Sequence, residues 1–169
     1  MSSSVGETGA STRPLRLFLD TGVIIEGCLG SWGAAKAVLI LATIRTNWIV
    51  VLAEAIEREL QAVIARKTAA LSPDDAQAVA ESVAGWMNRV RMERWPLPSA
   101  TDLDAAAPTV LPLLRHVHDL PAVVTAMQAR PDWTLSTNTA HWNEALGARI
   151  GLRIATPLAF LQRLTPIAG

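Results

Sequence analysis

The chain has 169 residues, half of them hydrophobic, which suits one domain with a substantial core. Lysine and arginine together number 15, as do aspartate and glutamate, so no net charge draws the protein to a polyanion and any nucleic-acid contact must use a local basic patch. The single cysteine, Cys28, excludes an intramolecular disulfide framework and a cysteine-rich zinc module, and it favours a reducing, cytoplasmic location.

The N-terminal segment differs in composition from the rest of the chain. Residues 1–14 are rich in Ser, Gly and Thr, and they lack the charged start and apolar middle of a secretory signal. We therefore predict a disordered tail over residues 1–14 and a single folded domain over residues 15–165. No apolar run reaches the roughly 18 residues that span a bilayer, so we expect no membrane association.

Strands and helices alternate in the first half of the chain. Residues 16–20 predict a strand, and a glycine-rich turn at residues 27–33 leads into a helix over residues 31–46. The β-branched run at residues 48–52 predicts a strand that is covered on both faces, which is typical of a parallel sheet. Apolar residues at helical spacing predict the next helix over residues 53–67.

The alternation continues through the second half. Ser72 and Pro73 have the form of an N-cap with proline at the first helical position, so a helix is predicted to about residue 90. Prolines crowd residues 97–118, where we expect only a short helix at residues 110–116. The remaining predicted elements are strands at residues 91–96, 133–137 and 153–155 and helices at residues 119–130, 139–149 and 157–164. The sequence therefore predicts an α/β fold, a three-layer α/β/α sandwich with a central, mostly parallel sheet.

Polar residues follow the predicted strands at positions where they can meet. Asp20 closes the first strand and Asn138 follows a later buried strand, while Asp119 begins the helix before that strand. Ligands gather outside the carboxyl ends of parallel strands, so we expect these three side chains at one edge of the sheet. Glu59 shares a helix flank with the apolar stripe and is the better inward-facing acid, with Glu57 as its rival.

A cluster of acids at this edge would need a cation. Three carboxylates within a few ångströms repel one another and raise one another's pKa values unless a hard divalent ion neutralises them. The expected ion is Mg²⁺ or Mn²⁺. Such ions keep several waters and bind a few carboxylates together with substrate phosphates, which favours phosphodiester chemistry over a sealed structural site.

Four stretches of the sequence carry a resemblance to a known family. They are Leu19–Ile25, Val51–Leu60, His118–Ala126 and Trp133–His141. In this order and spacing they resemble the PIN domain, a family of metal-dependent ribonucleases that includes many toxins of bacterial toxin–antitoxin pairs. With the elements between them, the four stretches cover roughly residues 16–160, nearly the whole predicted domain.

The resemblance implies a site and an activity. Asp20, Glu59 and Asp119 would be the metal-binding and catalytic acids, and Asn138 would stand among them where many members carry a further aspartate. The implied activity is that of a Mg²⁺- or Mn²⁺-dependent endoribonuclease, which hydrolyses RNA phosphodiester bonds and, as a toxin, pairs with an antitoxin protein. The residues expected to contact the substrate are Ser136, Thr21 and His141.

Three positions depart from the family pattern. Asn138 is neutral, Gly22 stands where asparagine is frequent, and Ala53 stands where serine is frequent. The amide of Asn138 can offer its carbonyl oxygen to a cation but adds no charge, so affinity for the ion would be weaker. These departures leave open a second hypothesis, in which a catalytically degenerate PIN domain binds RNA or a protein without cutting.

Several of these residues also have ordinary structural explanations. Asp119 has the form of a helix N-cap, and Asn138 could be a turn residue with left-handed dihedral angles. His116 and His118 have the spacing of a zinc ligand pair, but no third ligand lies at a plausible spacing. His141 could equally be a histidine of the surface or of the core edge.

Two further expectations concern partners. Two groups of basic residues could hold phosphates, one on the helix predicted at residues 53–67 and one near the third strand. They are Arg58, Arg66 and Lys67 in the first group and Arg89, Arg91 and Arg94 in the second. A surplus of apolar helix surface also predicts a homodimer.

Overall fold

The computed structural model describes residues 13–164. Within that range the chain forms a three-layer α/β/α sandwich around a five-stranded sheet. The strands are β1 (Leu15–Leu19), β2 (Trp48–Ala53), β3 (Met92–Trp95), β4 (Trp133–Leu135) and β5 (Ile154–Ala155). The helices are α1 (Thr21–Leu29), α2 (Ala34–Ile44), α3 (Glu54–Thr68), α4 (Pro73–Met87), α5 (Ala100–Val110), α6 (Leu120–Ala129), α7 (Glu144–Ile150) and α8 (Pro157–Leu164). Two short 3-10 turns, Leu111–Leu113 and Val117–Asp119, lie between α5 and α6.

The strand order places the first strand of the chain at the centre of the sheet. The order is β3-β2-β1-β4-β5, and every neighbouring pair is parallel. The chain adds β2 and β3 on one side of β1 and then crosses over to add β4 and β5 on the other. The carboxyl ends of β1 and β4 therefore flank the point where the order reverses, which is where open parallel sheets bind ligands. The predicted α/β fold is confirmed.

Both faces of the sheet are covered by apolar side chains. Phe160 of α8 packs against Trp48 and Trp133 on one face, with ring centroids 5.7 Å apart in each case. Phe18 points to the opposite face, where its ring centroid lies 5.8 Å from that of Trp142. Residues 50–53 of β2 are buried. This two-sided burial is the reason why the sequence of β2 is continuously apolar.

The structure corrects the prediction for the segment after β1. A glycine-rich turn was expected there, but residues 21–29 form α1 directly after Asp20. Gly27 lies inside this helix because it packs closely on α2, and a Cβ at Gly27 would lie 2.4 Å from Cδ1 of Leu39. The glycine therefore allows two helices to approach each other, and α2 begins only at Ala34.

A second correction concerns the proline-rich interval. The short helix predicted at residues 110–116 is found only as the 3-10 turn Leu111–Leu113, and α5, which was not predicted, occupies Ala100–Val110 before it. Ser99 and Asp102 form a reciprocal capping box at its start, which satisfies two backbone N–H groups. Pro108 lies in the last turn of α5, so its missing N–H removes one helical hydrogen bond near the helix end.

The predicted domain boundaries lie close to the limits of the described structure. Residues 1–12 of the predicted tail and residue 165 of the predicted domain lie outside the described residues. Arg13, which the prediction placed in the tail, pairs with Asp132 at an Nη2–Oδ1 distance of 2.5 Å. No single helix within residues 13–164 is long and apolar enough to cross a bilayer; α1 and α2 meet that criterion only as a pair bent by 89°.

Candidate functional site

Asp20 lies at the carboxyl end of β1, where the strand passes directly into α1. Its backbone N–H donates to the carbonyl of Leu135 in β4 over 2.9 Å, which ties the two strand ends together. Its Oδ1 accepts a hydrogen bond from the N–H of Thr21, also over 2.9 Å, so the carboxylate caps α1. Only 9 % of Asp20 is exposed. The sheet and the helix together therefore hold a nearly buried acid at the switch point of the fold.

The loop after β4 fixes the second oxygen of Asp20. Ser136 Oγ donates to Asp20 Oδ2 over 2.7 Å and accepts from the N–H of Asn138 over 3.0 Å. Because Ser136 is only 1 % exposed, it lies behind the carboxylate and does not offer its hydroxyl to a substrate, in contrast to the prediction. The loop after β4 can approach α1 this closely because residue 22 is a glycine. A Cβ at Gly22 would lie 2.5 Å from Thr137 Oγ1.

Glu59 reaches the same site from α3. Its Oε2 accepts a hydrogen bond from Thr21 Oγ1 over 2.7 Å. Thr21, which was expected to contact the substrate, is buried and uses its hydroxyl to hold this acid. The rival acid Glu57 instead forms an ion pair with Arg94 at 2.5 Å. Of the two candidate acids, the structure directs Glu59 toward Asp20.

Asp119 ends the second 3-10 turn and precedes α6. Asp119 stands at the N-cap position of α6, as the alternative proposed, but its side chain makes no capping hydrogen bond to that helix. Its Oδ2 instead lies 3.2 Å from Nδ1 of His141, whose side chain is largely buried. Asn138 does begin a turn, since its carbonyl accepts from the N–H of His141 over 3.1 Å. It lacks the left-handed dihedral angles of the alternative, because Arg130 is the one non-glycine residue with a positive φ within residues 13–164.

These side chains meet around one cavity of 390 Å³. Six of the seven predicted site residues line it: Asp20, Thr21, Glu59, Asp119, Asn138 and His141. A second hollow of 320 Å³ shares the three acids with the first. The acids therefore stand where two hollows adjoin, and the site as a whole is a groove with acids at its middle.

The charge of Asp20 is unfavourable in the folded protein. Burial raises the pKa of Asp20 above its ordinary value of 3.8, and the negative charges of Glu59 and Asp119 raise that pKa further. Hydrogen bonds from Ser136 and from the Thr21 N–H oppose the rise without cancelling it. Within residues 13–164, no lysine, arginine or histidine forms an ion pair with Asp20. A cation bound at this point would relieve the repulsion.

The donor atoms suit a hard divalent cation. Four acidic residues line the cavity, namely Asp20, Glu59, Asp119 and the exposed Glu26. Asn138 lines it as well and can offer an amide oxygen, and Mg²⁺ prefers oxygen ligands. In the described part of the chain, no three acidic, histidine or cysteine side chains already stand close enough to hold one ion. An ion would thus bind directly to one or two carboxylates and keep several waters, which is the usual coordination of Mg²⁺ in proteins.

The raised pKa of Asp20 predicts a pH dependence of stability that the Asp20→Asn variant lacks. Because the pKa of Asp20 in the folded state lies above 3.8, protonation of Asp20 contributes fully to the stability of the wild type below pH 3.8. This contribution is lost as the pH rises through the folded-state pKa. The free energy of unfolding of the variant, minus that of the wild type, should therefore increase with pH. Urea denaturation in EDTA across a pH series measures this difference, and a difference that stays constant with pH would contradict it.

Two histidines that were expected only as an incomplete zinc pair lie beside the acids. His118 lines both hollows. His116 stacks on His118 with ring centroids 5.2 Å apart, and its centroid lies 4.6 Å from that of His141. The spacing of His116 and His118 was visible in the sequence, but the contact of His116 with His141 depends on the folded path of the chain and has no sequence signal.

The structure separates the basic residues that were candidates for phosphate binding. Lys67 lines the first hollow and Arg66 lines the second. Arg58 and Arg94 form ion pairs with glutamates of α3. Arg89 lines a different cavity. Lys67 and Arg66 are thus the basic side chains that flank the acids on either side.

Comparison with known proteins identifies the fold. No protein-family model and no curated protein matches the sequence. Among solved structures, that of VapBC2 from Rickettsia felis bound to a DNA fragment from their promoter matches with a TM-score of 0.59 and 15 % identity, over 84 % of this chain and 98 % of that chain. PAE2754 from Pyrobaculum aerophilum matches with a TM-score of 0.58 and 14 % identity, over 89 % and 95 % of the two chains.

A third solved structure agrees with these two. FitAcB from Neisseria gonorrhoeae matches with a TM-score of 0.57 and 17 % identity, over 84 % of this chain and 98 % of that chain. The three structures cover nearly the whole described sandwich and confirm the PIN-like fold.

Proposed function

We propose that this chain, which has the PIN-domain fold, is a Mg²⁺- or Mn²⁺-dependent endoribonuclease whose ion lies in the site formed by Asp20, Glu59, Asp119 and Asn138. The observation that carries the proposal is the position of Asp20. It is a nearly buried acid at the switch point of the sheet, it faces two other acids, and no cationic side chain within residues 13–164 pairs with it. Such an arrangement is unfavourable unless a cation binds there.

The proposed reaction is hydrolysis of an RNA phosphodiester bond by water. A bound divalent ion supplies a more acidic water and stabilises negative charge on the phosphate oxygens. The residues of the chain hold the acids in position for that ion. Ser136 and the Thr21 N–H fix the two oxygens of Asp20, the Thr21 hydroxyl fixes Glu59, and His141 fixes Asp119.

The shape of the site supports a polymeric substrate cut at an internal bond. The two hollows share the three acids, so one chain can lie across the acids with a part in each hollow. Lys67 lies in one hollow and Arg66 in the other, where each can contact a phosphate beside the one that reacts. A site for small molecules or for chain ends would need one of the two hollows to be closed.

A role as a toxin is the part of the proposal that depends on the structural neighbours. VapBC2 and FitAcB support the coarser assignment to PIN-domain proteins of the toxin–antitoxin class. We therefore propose an antitoxin protein as a partner of this chain, and the cytoplasm as the place where it meets RNA. Co-expression of the protein with candidate antitoxins, with growth as the measurement, tests that role separately from nuclease activity.

A homodimer remains part of the proposal. The supporting observation is that several large apolar side chains of α2 and α8 are exposed although these two helices pack on each other. They are Ile40, Ile44, Leu158 and Leu164. We expect light scattering of the purified protein to give the mass of two chains. A monomer at all accessible concentrations would refute this part of the proposal.

A second candidate function is a binding module without nuclease activity. The neutral amide of Asn138 favours it, because this position adds an oxygen ligand but no charge to the ion site. This candidate predicts no cleavage with any divalent ion, and it predicts that RNA binding survives the Asp20→Asn change. The nuclease proposal predicts cleavage by the wild type.

The experiment that separates the two candidates is cleavage of structured and single-stranded RNAs by purified protein in Mn²⁺. The nuclease proposal expects internal cuts that EDTA stops and that renewed Mn²⁺ restores. Asp119→Asn, which removes the charge that faces His141, should be inactive under the same conditions. Cleavage that persists in EDTA, or that is equal in the wild type and the Asp119→Asn variant, would overturn the assignment.

A further inference from the structure

All three histidines of the chain meet at one edge of the acidic groove. The rings of His116 and His118 are nearly parallel, with an angle of 10° between their planes. His141 supports His116 from the side at 59° and is itself held by Asp119. The result is a short series of rings that begins at the acid site and ends with His118 at the groove.

The imidazole rings of His116 and His118 form no polar contact within the described structure. Among residues 13–164, the imidazole of neither His116 nor His118 has a hydrogen-bond or ion-pair partner, and both residues are exposed. Val117 between them is exposed as well. Exposed imidazoles ordinarily move freely in water, whereas these rings are stacked and thus present a flat, partly apolar surface.

The same geometry argues against a metal site in the ring series. A metal ligated by imidazole nitrogen lies in the plane of the ring, so two stacked, parallel rings do not converge on one ion. No group of three histidine, cysteine or acidic side chains in the described chain is spaced for an ion. The π-faces of the rings, and not their nitrogens, are the feature that the stacking presents.

We propose that the open ring face of His118 binds an unpaired nucleobase of single-stranded RNA, beside the phosphate that lies at the acids. This inference rests on the proposed ribonuclease function and specifies its substrate as RNA that is single-stranded at the cut. Bases of single-stranded RNA stack on aromatic side chains, histidine included, with little regard to sequence. His118 lines both hollows, so a base on its ring lies next to the acids.

The charge of the protein favours such a contact. Most RNA-binding proteins gain affinity from clusters of basic residues, but this chain has zero net charge and carries four acids in its groove, Glu26 among them. Lys67 and Arg66 supply two cationic contacts, which hold phosphates but provide little affinity by themselves. Base stacking provides affinity that does not depend on the charge of the backbone.

The test measures whether binding depends on the base and whether that dependence requires a ring at position 118. Short single-stranded RNAs that carry one abasic residue, moved along the sequence, are titrated by fluorescence anisotropy in buffer with Ca²⁺ and without Mg²⁺ or Mn²⁺. For the wild type, one abasic position should weaken binding by about fivefold or more. His118→Ala should bind the intact RNA and that abasic RNA equally.

Two further variants separate stacking from a structural role. His118→Phe keeps a flat ring and should retain the dependence on the base, whereas His118→Leu keeps apolar bulk without a ring and should lose it. Thermal unfolding checks that all variants fold, which the exposure of His118 favours. A merely structural role would affect stability and leave the ratio of intact to abasic binding the same in all four proteins.

Each result of the test leads to a distinct conclusion. The same ratio in all four proteins, or a ratio near one in the wild type, overturns the nucleobase site. If the wild type still cleaves RNA in that case, the ribonuclease function survives without this inference. A wild type that binds no RNA and cleaves none overturns both.

Discussion

Replacing Asp20 by asparagine is expected to lower RNA cleavage by at least about 100-fold and to stabilise the metal-free protein at neutral pH. Asparagine keeps the shape of the side chain, so its oxygen can still accept from the Thr21 N–H and its amide can still face Ser136 Oγ. The negative charge is lost. That charge is needed to hold the ion, but burial, Glu59 and Asp119 make it unfavourable when no ion is bound.

Two measurements follow from this argument, initial cleavage rates in Mn²⁺ and thermal unfolding in EDTA. A matched control is Asp74→Asn, which removes the same charge from an exposed position in the first turn of α4 and should change neither quantity appreciably. Saturating Mn²⁺ should raise the unfolding temperature of the wild type by more than that of Asp20→Asn. A variant that is active, or that is less stable than the wild type in EDTA, would contradict the role of Asp20.

Replacing Thr21 by valine is expected to lower cleavage by about 10- to 100-fold, although Thr21 is not itself a metal ligand in this account. Its hydroxyl donates to Glu59 Oε2 over 2.7 Å, and Glu59 is otherwise exposed on α3 and free to rotate away. Valine has nearly the same shape, and the Thr21 N–H that caps Asp20 belongs to the backbone and remains. The loss should therefore come from Glu59 alone.

The control for this variant is Thr43→Val on α2. Thr43 also donates one hydrogen bond, to the carbonyl of Leu39, but it lies away from the acids. The two variants should have similar unfolding temperatures, and only Thr21→Val should need more Mn²⁺ for half-maximal activity. Equal Mn²⁺ requirements in the two variants would mean that Thr21 does not position Glu59.

The sheet and its acids could be predicted because their signals are local. The buried run of β2 is continuously apolar, and an acid directly after a buried strand is costly without a function, so Asp20 is conspicuous. Parallel strands then bring distant residues to one edge without any knowledge of side-chain packing. For this reason Asp20, Asp119 and Asn138 were correctly expected to lie together.

Other features depend on contacts that no local pattern contains. The sequence pattern predicts a turn at Gly27, because the close packing of Gly27 on Leu39 is visible only once α1 and α2 meet. The prolines before α6 are the reason why the sequence pattern does not predict α5. This helix is specified by the capping box at Ser99 and tolerates Pro108 near its end. In both cases a residue that usually breaks helices is accommodated by its surroundings.

The supporting residues of the site were the hardest to predict. Ser136 was expected at the substrate, but its complete burial turns its hydroxyl toward Asp20. The contact between His116 and His141 joins segments that are separated by α6 and β4. A sequence reveals which residues can carry charge, whereas the residues that orient them emerge from packing.

The most direct test of the shared metal site is a comparison of Mn²⁺ binding to the wild type and to Asp20→Asn by isothermal titration calorimetry. Because this measurement needs no RNA and no turnover, it addresses the acids alone. The account predicts that the wild type binds Mn²⁺ in its acidic groove and that Asp20→Asn binds it at least about tenfold more weakly. Equal binding by the two proteins, or no binding by the wild type, would contradict it.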